Sequence, residues 1–247
     1  MLAQPLNFSS SCTKVAPIVK NPLLLIPARM GSKEIPKKNL VLLGGKPLIT
    51  WTIEQALLAR VGSVVVSTDS PEIAKVAMSA GASVPFLRPQ KLAGDDVKTI
   101  DVVQHALEWL SQNLSFMPRT VVLLQPTSPF RSADDILTGL RLLETSEAPA
   151  VVSVCEANTH PWTTRKLDSY GCLSLFCQMS SSPRRRQEMP PAYQLNGALY
   201  VIRSHVLLET RSFEPPGTRA ILMPAERSLD IDSPADLEWA QWQLSRR

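Results

Sequence analysis

The sequence predicts an α/β fold built on a mostly parallel, twisted sheet that is flanked by helices. Short uninterrupted apolar runs, such as residues 23–26 and 64–66, are typical of strands that are buried on both faces. These runs alternate with stretches of helical period, and strands that alternate with helices form parallel sheets with right-handed crossovers. The 247 residues, of which 44% are hydrophobic, suit one such domain.

Local signals mark where the elements begin and end. Ser70 before Pro71 predicts a capped helix with proline in its first turn, and Ser132 with Asp135 predicts a capping box. Pro47 predicts the first residue of an earlier helix. The predicted helices are residues 47–60, 71–80 and 99–114, one after Ser132, one from Ser204 and one from Pro234 onward. The predicted strands are residues 23–26, 64–68, 84–87, 121–124, 150–154, 197–202 and 220–223.

Two stretches fall outside this alternation. Residues 1–21 are polar and serine-rich, so we expect a flexible N-terminal arm, with a transit peptide as the alternative. One domain then spans residues 22–247. Within it, residues 157–195 contain turn formers, a serine run and three consecutive arginines, which indicates an insertion or an arm that contacts a partner.

Charge and composition narrow the classes of function. Lysine and arginine exceed aspartate and glutamate by 26 − 22 = 4, which is too small an excess to indicate nucleic acid and fits a small anionic ligand better. No apolar run reaches the roughly 18 residues of a membrane span, so we expect no membrane association. The four cysteines form no CxxC pair and the histidines are scattered. This pattern predicts no zinc site, no disulfide framework and a cytoplasmic protein.

The loop after the first predicted strand is rich in positive charge. Arg29, Lys33, Lys37 and Lys38 lie there together with Gly31. Ligands of open α/β sheets bind at the carboxyl ends of strands, and arginine and lysine donate charge-assisted hydrogen bonds to phosphate. The loop therefore indicates a polyphosphate site, with a solvated basic loop as the alternative. The GxGxxG and Walker A patterns are absent, which argues against a dinucleotide site or a P-loop.

Two further segments follow other predicted strands. Residues 125–131, which read QPTSPFR, lead into a helix N-terminus, where free N–H groups favour anions. Two prolines that merely shape a turn are the alternative. Asp230 and Asp232 point to the same side if the chain is extended there, and two carboxylates with phosphate oxygens suit Mg²⁺. A cluster at the entry of the last helix is the alternative reading.

A fourth segment combines residues that bind carboxylated or polyhydroxylated ligands. It contains Arg186 and Gln187, followed by Tyr193 and Asn196. Arginine can contact a carboxylate through two hydrogen bonds. The alternative for the arginine run at residues 184–186 is a solvated charged surface.

Together these segments resemble the acylneuraminate cytidylyltransferases, which are the CMP-sialic acid synthetases and their bacterial relatives. The resemblance covers about residues 22–245. The matching segments are IPARMGSKEIPKKN at 26–39, GKPLITWTIEQAL at 45–57, VVVSTDSPEIAKVA at 64–77, VPFLRPQKLAGDD at 84–96, IDVVQHAL at 100–107, VVLLQPTSPFR at 121–131, RQEMPPAYQLNGALYV at 186–201 and ERSLDIDSPADL at 226–237.

The resemblance implies a Rossmann-like nucleotidyltransferase domain with a small dimerisation excursion. It also implies a reaction: the anomeric hydroxyl of a nine-carbon α-keto acid sugar attacks the α-phosphate of CTP, so that CMP-sugar forms and pyrophosphate leaves. The implied cofactor is Mg²⁺, and the implied partner is a second copy of the chain, so that a homodimer shares its active sites.

Residue roles follow by position from the same resemblance. It implies catalytic roles for Arg29, Lys38, Asp230 and Asp232, and it makes Asp230 and Asp232 the metal ligands. It implies nucleotide contacts for Arg29, Ser32, Lys33, Asn39, Arg88 and Thr99. It implies sugar contacts for Gln125, Arg186, Gln187, Tyr193 and Asn196, with Arg186 reaching the partner's site.

Two residues depart from the family pattern. Met30 and Glu34 stand where the family usually has glycine, and the loss of glycine restricts φ. These departures predict weaker binding of CTP or an adjusted substrate. The alternative functions are cytidylyl transfer to another acidic acceptor, such as an eight-carbon keto sugar or a phosphonate, and a catalytically silent nucleotide-binding protein.

Overall fold

The computed structural model describes residues 20–177 and 185–246. Of the expected flexible arm, residues 1–21, only Lys20 and Asn21 are described, and Oδ1 of Asn21 accepts hydrogen bonds from the amides of Arg119 and Thr120. The serine run at residues 180–182 lies outside the described residues. The strands are β1 Leu23–Pro27, β2 Leu42–Leu43, β3 Lys46–Pro47, β4 Ser63–Ser67, β5 Thr120–Leu123, β6 Ala150–Glu156, β7 Arg165–Leu167, β8 Leu173–Leu175, β9 Tyr193–Arg203 and β10 Arg219–Leu222. The helices are α1 Leu48–Ala59, α2 Pro71–Ser79, α3 Thr99–Leu114, α4 Ala133–Thr145, α5 Ser204–Thr210 and α6 Pro234–Leu244.

Six strands form the central sheet in the order β10-β6-β9-β5-β1-β4. β1 pairs in parallel with both β4 and β5, and β10 pairs in parallel with β6. β9 runs antiparallel to both of its neighbours, β5 and β6. The predicted α/β class with a mostly parallel sheet is therefore confirmed.

The apolar run of β1 is buried on both faces, and its alternation assigns residues to two cores. Leu24 and Ile26 pack in one cluster with Ile53 of α1 and Ile136 of α4. The intervening residues of β1 pack on the opposite face, in a cluster that includes Leu107 of α3. A strand covered by helices on both sides reads as a continuous hydrophobic run, which is the pattern seen in the sequence.

The helix caps confirm the local signals. The side chain of Ser70 accepts a hydrogen bond from the amide of Ile73, and Ser132 forms a capping box with Asp135 at the start of α4. The helix predicted from Pro47 begins one residue later, because Pro47 has an extended ψ of 140° and pairs with Leu42 in the small hairpin β2–β3.

Two predicted elements need correction. Residues 84–87 form no strand and contribute only the bridge between Thr68 and Leu87, because Pro85 lacks an N–H for a ladder. The insertion at residues 157–195 contains a hairpin, β7–β8, and the first residues of β9, which begins at Tyr193 and not near Gly197. Among the described residues, no helix is long and apolar enough to cross a membrane.

Candidate functional site

A cavity of about 260 Å³ opens beside the carboxyl ends of β1 and β5. One wall is the loop after β1, and the facing wall is the segment that leads into α3. The structure gathers seven of the predicted site residues around this cavity, and they are Arg29, Ser32, Lys38, Asn39, Arg88, Thr99 and Gln125. Lys33 lies close to this cavity, because it forms an ion pair with Asp95, which also pairs with Arg29. Residues that are far apart in sequence therefore meet at the carboxyl ends of the strands, where ligands of open α/β sheets bind.

Hydrogen bonds fix the shape of the cationic loop. Nδ2 of Asn39 donates to the carbonyl oxygen of Arg29 at 2.8 Å, and the amide of Met30 donates to Oδ1 of Asp69 at 3.0 Å. Neither Met30 nor Glu34 has a positive φ. Because no left-handed conformation is required at either position, the missing glycines impose no backbone strain on the loop.

Asp95 pairs with two of the cations, and sequence reasoning missed this residue. Its Oδ1 lies 2.6 Å from Nη1 of Arg29 and its Oδ2 lies 3.1 Å from Nζ of Lys33. The hydrogen bonds from Lys33 first, and then from Arg29, hold the pKa of the Asp95 carboxyl below its usual range. The only signal in the sequence was an acidic pair just ahead of a helix, which is a common surface pattern.

Arg88 is a buried guanidinium whose side chain is only 3% exposed. Among the described residues, its Nε has no hydrogen-bond partner, and its Nη2 forms an ion pair with Oδ1 of Asp69 at 3.5 Å. Burial lowers the pKa of Arg88, while the charge of Asp69 opposes that effect. Buried donors without acceptors are costly, so a guanidinium at the cavity wall calls for an oxygen-rich ligand. Thr99 lies beside it as the first residue of α3, which has no side-chain cap.

Asp230 and Asp232 flank Ile231, whose side chain is buried in a third apolar cluster with Leu48 and Phe130. The amide of Ile231 donates to the carbonyl oxygen of Thr127 at 2.8 Å, which ties this loop to the QPTSPFR segment. Asp232 is exposed and pairs with Nζ of Lys38 at 2.8 Å.

The environment of Asp230 is suited to a cation. Burial raises the pKa of Asp230, a hydrogen bond from Thr127 opposes the shift, and the charge of Asp232 adds to it. Its Oδ1 is buried and has no hydrogen-bond partner among the residues that the structure describes. A carboxylate oxygen in that situation gains from a positive ligand more than an exposed oxygen would. In the described part of the chain, no cluster of three or more His, Cys, Asp or Glu could hold a metal. A metal here would therefore rest on these two carboxylates and on a ligand.

The backbone of Gly197 is where the cavity wall and the Asp230 loop meet. Gly197 has a φ of +70°, and a Cβ added there would lie 3.3 Å from Oγ of Ser128, 3.4 Å from Oε1 of Gln125 and 3.5 Å from Oδ2 of Asp230. Only glycine leaves this conformation unstrained and this space open. The side chains of Gln125 and Asp230 therefore approach the same point, and Gln125 lines the first cavity whereas Asp230 lines a second one.

We expect alanine at position 197 to damage the site more than the fold. The left-handed conformation costs an L residue about 1–2 kcal/mol, and displacement of Gln125 and Asp230 lowers turnover by up to about 10²-fold. Gly45→Ala is the matched control, because Gly45 has a φ of +82° in the β2–β3 turn and no described atom within 4 Å of its added Cβ. Both variants should lose similar stability in urea denaturation. Equal turnover in the two variants would contradict the role of Gly197.

The second cavity, of about 930 Å³, lies between β9 and α6 and is lined by Asn196 and Asp230. The amide of Asn196 is already engaged by protein groups. Its Oδ1 accepts from Oγ of Ser153 at 2.5 Å, and its Nδ2 donates to Oγ of Ser228 at 2.9 Å. This arrangement favours a role in positioning the turn ahead of Asp230 over the direct sugar contact that the resemblance implies.

Arg131 is a second residue that sequence reasoning missed. It is fully buried, and burial lowers its pKa to about 9. Its guanidinium donates to the carbonyl oxygen of Gln125 at 2.8 Å, to Oγ1 of Thr52 at 3.2 Å and to the carbonyl oxygen of Ala198. A planar donor with five N–H groups can bind all three acceptors, which lysine could not do. Arg131 thereby fixes the backbone on both sides of the Gln125–Gly197 junction.

The structure leaves two other predicted sugar contacts outside both cavities. Gln187 lies in the 3-10 turn Arg186–Glu188 and is exposed, and Tyr193 is the exposed first residue of β9. The backbone of Arg186 belongs to the same turn.

The family model described as Cytidylyltransferase matches residues 23–215. This chain belongs to the cytidylyltransferase family. It is 40% identical to a CMP-N,N'-diacetyllegionaminic acid synthase of Legionella pneumophila, over 88% of this chain and 93% of that protein. It is 38% identical to an N-acylneuraminate cytidylyltransferase of Escherichia coli, over 88% of this chain, and it spans 51% of that longer protein.

A solved structure supports the fold of this cytidylyltransferase. CMP:2-keto-3-deoxy-manno-octonic acid synthetase, in a complex with CTP, superposes with a TM-score of 0.66 over 91% of this chain and 98% of that one. The sequences are 21% identical, so the comparison bears on the fold alone. The resemblance drawn from the eight sequence segments is confirmed, and so is the nucleotidyltransferase class of the enzyme.

Proposed function

We propose that this cytidylyltransferase transfers CMP from CTP to the anomeric hydroxyl of a nine-carbon α-keto acid sugar, such as sialic acid or a legionaminic or pseudaminic acid, and releases pyrophosphate. The observation that carries the proposal is the cavity in which Arg29, Lys38 and Arg88 converge beside the Gln125–Gly197–Asp230 junction. The names of the relatives from Legionella and Escherichia coli support the acceptor class.

The residues of the cavity bind two parts of CTP, the triphosphate and the cytidine. Arg29, Lys33 and Lys38 neutralise the phosphate oxygens, and most of the rate gain in phosphoryl-type transfer comes from such positioning and charge stabilisation. Arg88 and Thr99 contact the cytidine, to which the guanidinium of Arg88 offers hydrogen-bond donors. Gln125, which lies beside Gly197 and Asp230, orients the acceptor toward the α-phosphate of CTP.

Mg²⁺ belongs to this proposal, because the orphaned Oδ1 of Asp230 suits a hard cation. Asp230 and Asp232 would hold the ion together with phosphate oxygens of CTP. When bound, it neutralises charge on the phosphates as pyrophosphate leaves. Lys38 bonds to Asp232 across the site and holds that carboxylate in place.

A homodimer is a further part of the proposal. The β7–β8 hairpin exposes Leu167, Leu173 and Leu175, and large exposed apolar side chains that cluster on one arm are typical of a contact surface. A second copy would also bring Gln187 and Tyr193, which line neither of the two cavities described above, to a partner's site. Light scattering should give twice the 27.2 kDa chain mass.

A cytoplasmic location, predicted from the cysteine pattern, is part of the same proposal.

The decisive assay measures pyrophosphate release from CTP and Mg²⁺ with a panel of acceptors. We expect release with N-acetylneuraminic acid or with legionaminic or pseudaminic acid, no release without an acceptor, and loss of release with EDTA. Release only with an eight-carbon keto acid or a phosphonate would overturn the proposed acceptor and keep the reaction. CTP binding without turnover on any of these acceptors would instead support a silent nucleotide-binding protein.

A further inference from the structure

The Asp95 carboxylate lies directly in front of two of the cations that the proposed function assigns to phosphate. One oxygen contacts Arg29 at 2.6 Å and the other contacts Lys33 at 3.1 Å. Two oxygens that share a negative charge offer arginine and lysine the same bonding pattern as two oxygens of a phosphate group. Because the two cations hold its pKa below the usual range, this carboxylate is ionised at neutral pH.

The segment that carries Asp95 can move without breaking the sheet. It lies between the 3-10 turn Gln90–Leu92 and α3. Its backbone hydrogen bonds are local, since the amide of Ala93 donates to the carbonyl oxygen of Gln90 at 2.9 Å and that of Val97 to Gly94 at 3.4 Å. The Asp95 ion pairs cross from this wall of the cavity to the opposite wall.

These ion pairs are weak enough to be exchanged. The side chains of Arg29, Lys33 and Asp95 are 35%, 73% and 38% exposed, and solvent-exposed ion pairs contribute little. A triphosphate carries several negative charges and offers more oxygens to the same cations. It cannot occupy the positions of the Asp95 oxygens while the carboxylate remains there, and a like charge close by raises the cost of binding.

We propose that Asp95 is a displaceable counter-anion, which competes with the triphosphate of CTP for Arg29 and Lys33 and so lowers the affinity of the site for CTP. The inference rests on the proposed function, because it takes these two cations to be phosphate ligands. The cost in affinity has a functional use. The Asp95 carboxylate returns to Arg29 and Lys33 as pyrophosphate leaves. It then replaces the product as the anion paired with these cations, so that they are not left with water alone.

The test compares Asp95→Asn with Asp96→Asn. Asp96 is the exposed neighbour, and it forms no ion pair among the described residues. Both substitutions remove one charge from the same loop, but only the first removes the contacts. We expect isothermal titration with CTP and Mg²⁺, without acceptor, to give a Kd about fivefold lower for Asp95→Asn than for wild type. The Kd of Asp96→Asn should stay within about twofold of wild type.

Cytidine is the second probe, because it lacks the phosphates. Its Kd should be the same in wild type and in Asp95→Asn. Unchanged or weaker CTP binding by Asp95→Asn would overturn the inference, and so would equal tightening in both variants, which would indicate a general effect of charge. The wild-type protein is titrated with CTP first, because a wild-type protein that binds no CTP would contradict the proposed function itself.

Discussion

Replacement of Asp230 with asparagine is expected to abolish Mg²⁺-dependent turnover while leaving the fold intact. Asparagine keeps the shape and the hydrogen bond with Thr127 but removes the negative charge that a cation needs. Loss of several kcal/mol of charge stabilisation predicts a fall in kcat of at least about 10³-fold. Glu226→Gln is the matched control, because it removes an exposed carboxylate four residues away. If Asp230→Asn kept a tenth of wild-type turnover, Asp230 would have no such role.

The same substitution is expected to stabilise the protein at neutral pH. Burial raises the pKa of folded Asp230 above its ordinary 3.8, so the folded state holds this proton to a higher pH than the unfolded chain does. The free energy of unfolding therefore falls as the pH rises through that interval, and the ionised carboxylate destabilises the fold above it.

Urea denaturation at two pH values checks this sign. Asparagine does not titrate, so the variant should exceed wild type in stability at pH 7, and the difference should disappear below about pH 4. A variant that was less stable than wild type at pH 7 would show that the carboxylate is compensated in the folded state. Higher stability together with lost turnover is the pattern of a residue retained for function.

The sequence allowed most of the sheet to be predicted, because buried parallel strands leave a local signature. The apolar runs of β1 and β5 and the caps at Ser70 and Ser132 required no knowledge of distant residues. The strand predicted at residues 84–87 does not form, because Pro85 lacks the N–H that a ladder requires although its neighbours are apolar. The path of residues 157–195 depends on pairing between distant segments, which no local pattern reveals.

The candidate site was predictable wherever its residues follow strands, because the topology brings strand ends together. Asp95 and Arg131 escaped prediction for different reasons. Asp95 gains its importance only from the position of Arg29 across the cavity. In the described part of the chain, no carboxylate lies close enough to the buried Arg131 for an ion pair, and its acceptors include the backbone carbonyls of Gln125 and Ala198. Carbonyl acceptors carry no side-chain signature, so a sequence pattern cannot identify them.

Lys38→Met is expected to lose turnover, whereas Lys37→Met is not. The two lysines are adjacent, and each forms one ion pair, Lys38 with Asp232 at 2.8 Å and Lys37 with Glu72 at 2.9 Å. The side chain of Lys38 is 16% exposed and lines the cavity, but that of Lys37 is 58% exposed and points to Glu72. Removal of a donor that stabilises developing charge costs about 10²–10³-fold in kcat.

The pair of lysine variants separates catalysis from stability, because each variant loses one ion pair with a solvent-exposed carboxylate. Both should change the free energy of unfolding by less than about 1 kcal/mol, and Lys37→Met should keep its kcat within about twofold of wild type. The loss in Lys38→Met should appear with saturating CTP, since charge that develops on the leaving pyrophosphate is stabilised in the transition state more than in the bound substrate. A defect in Lys38→Met that excess CTP restored would assign Lys38 to ground-state binding alone.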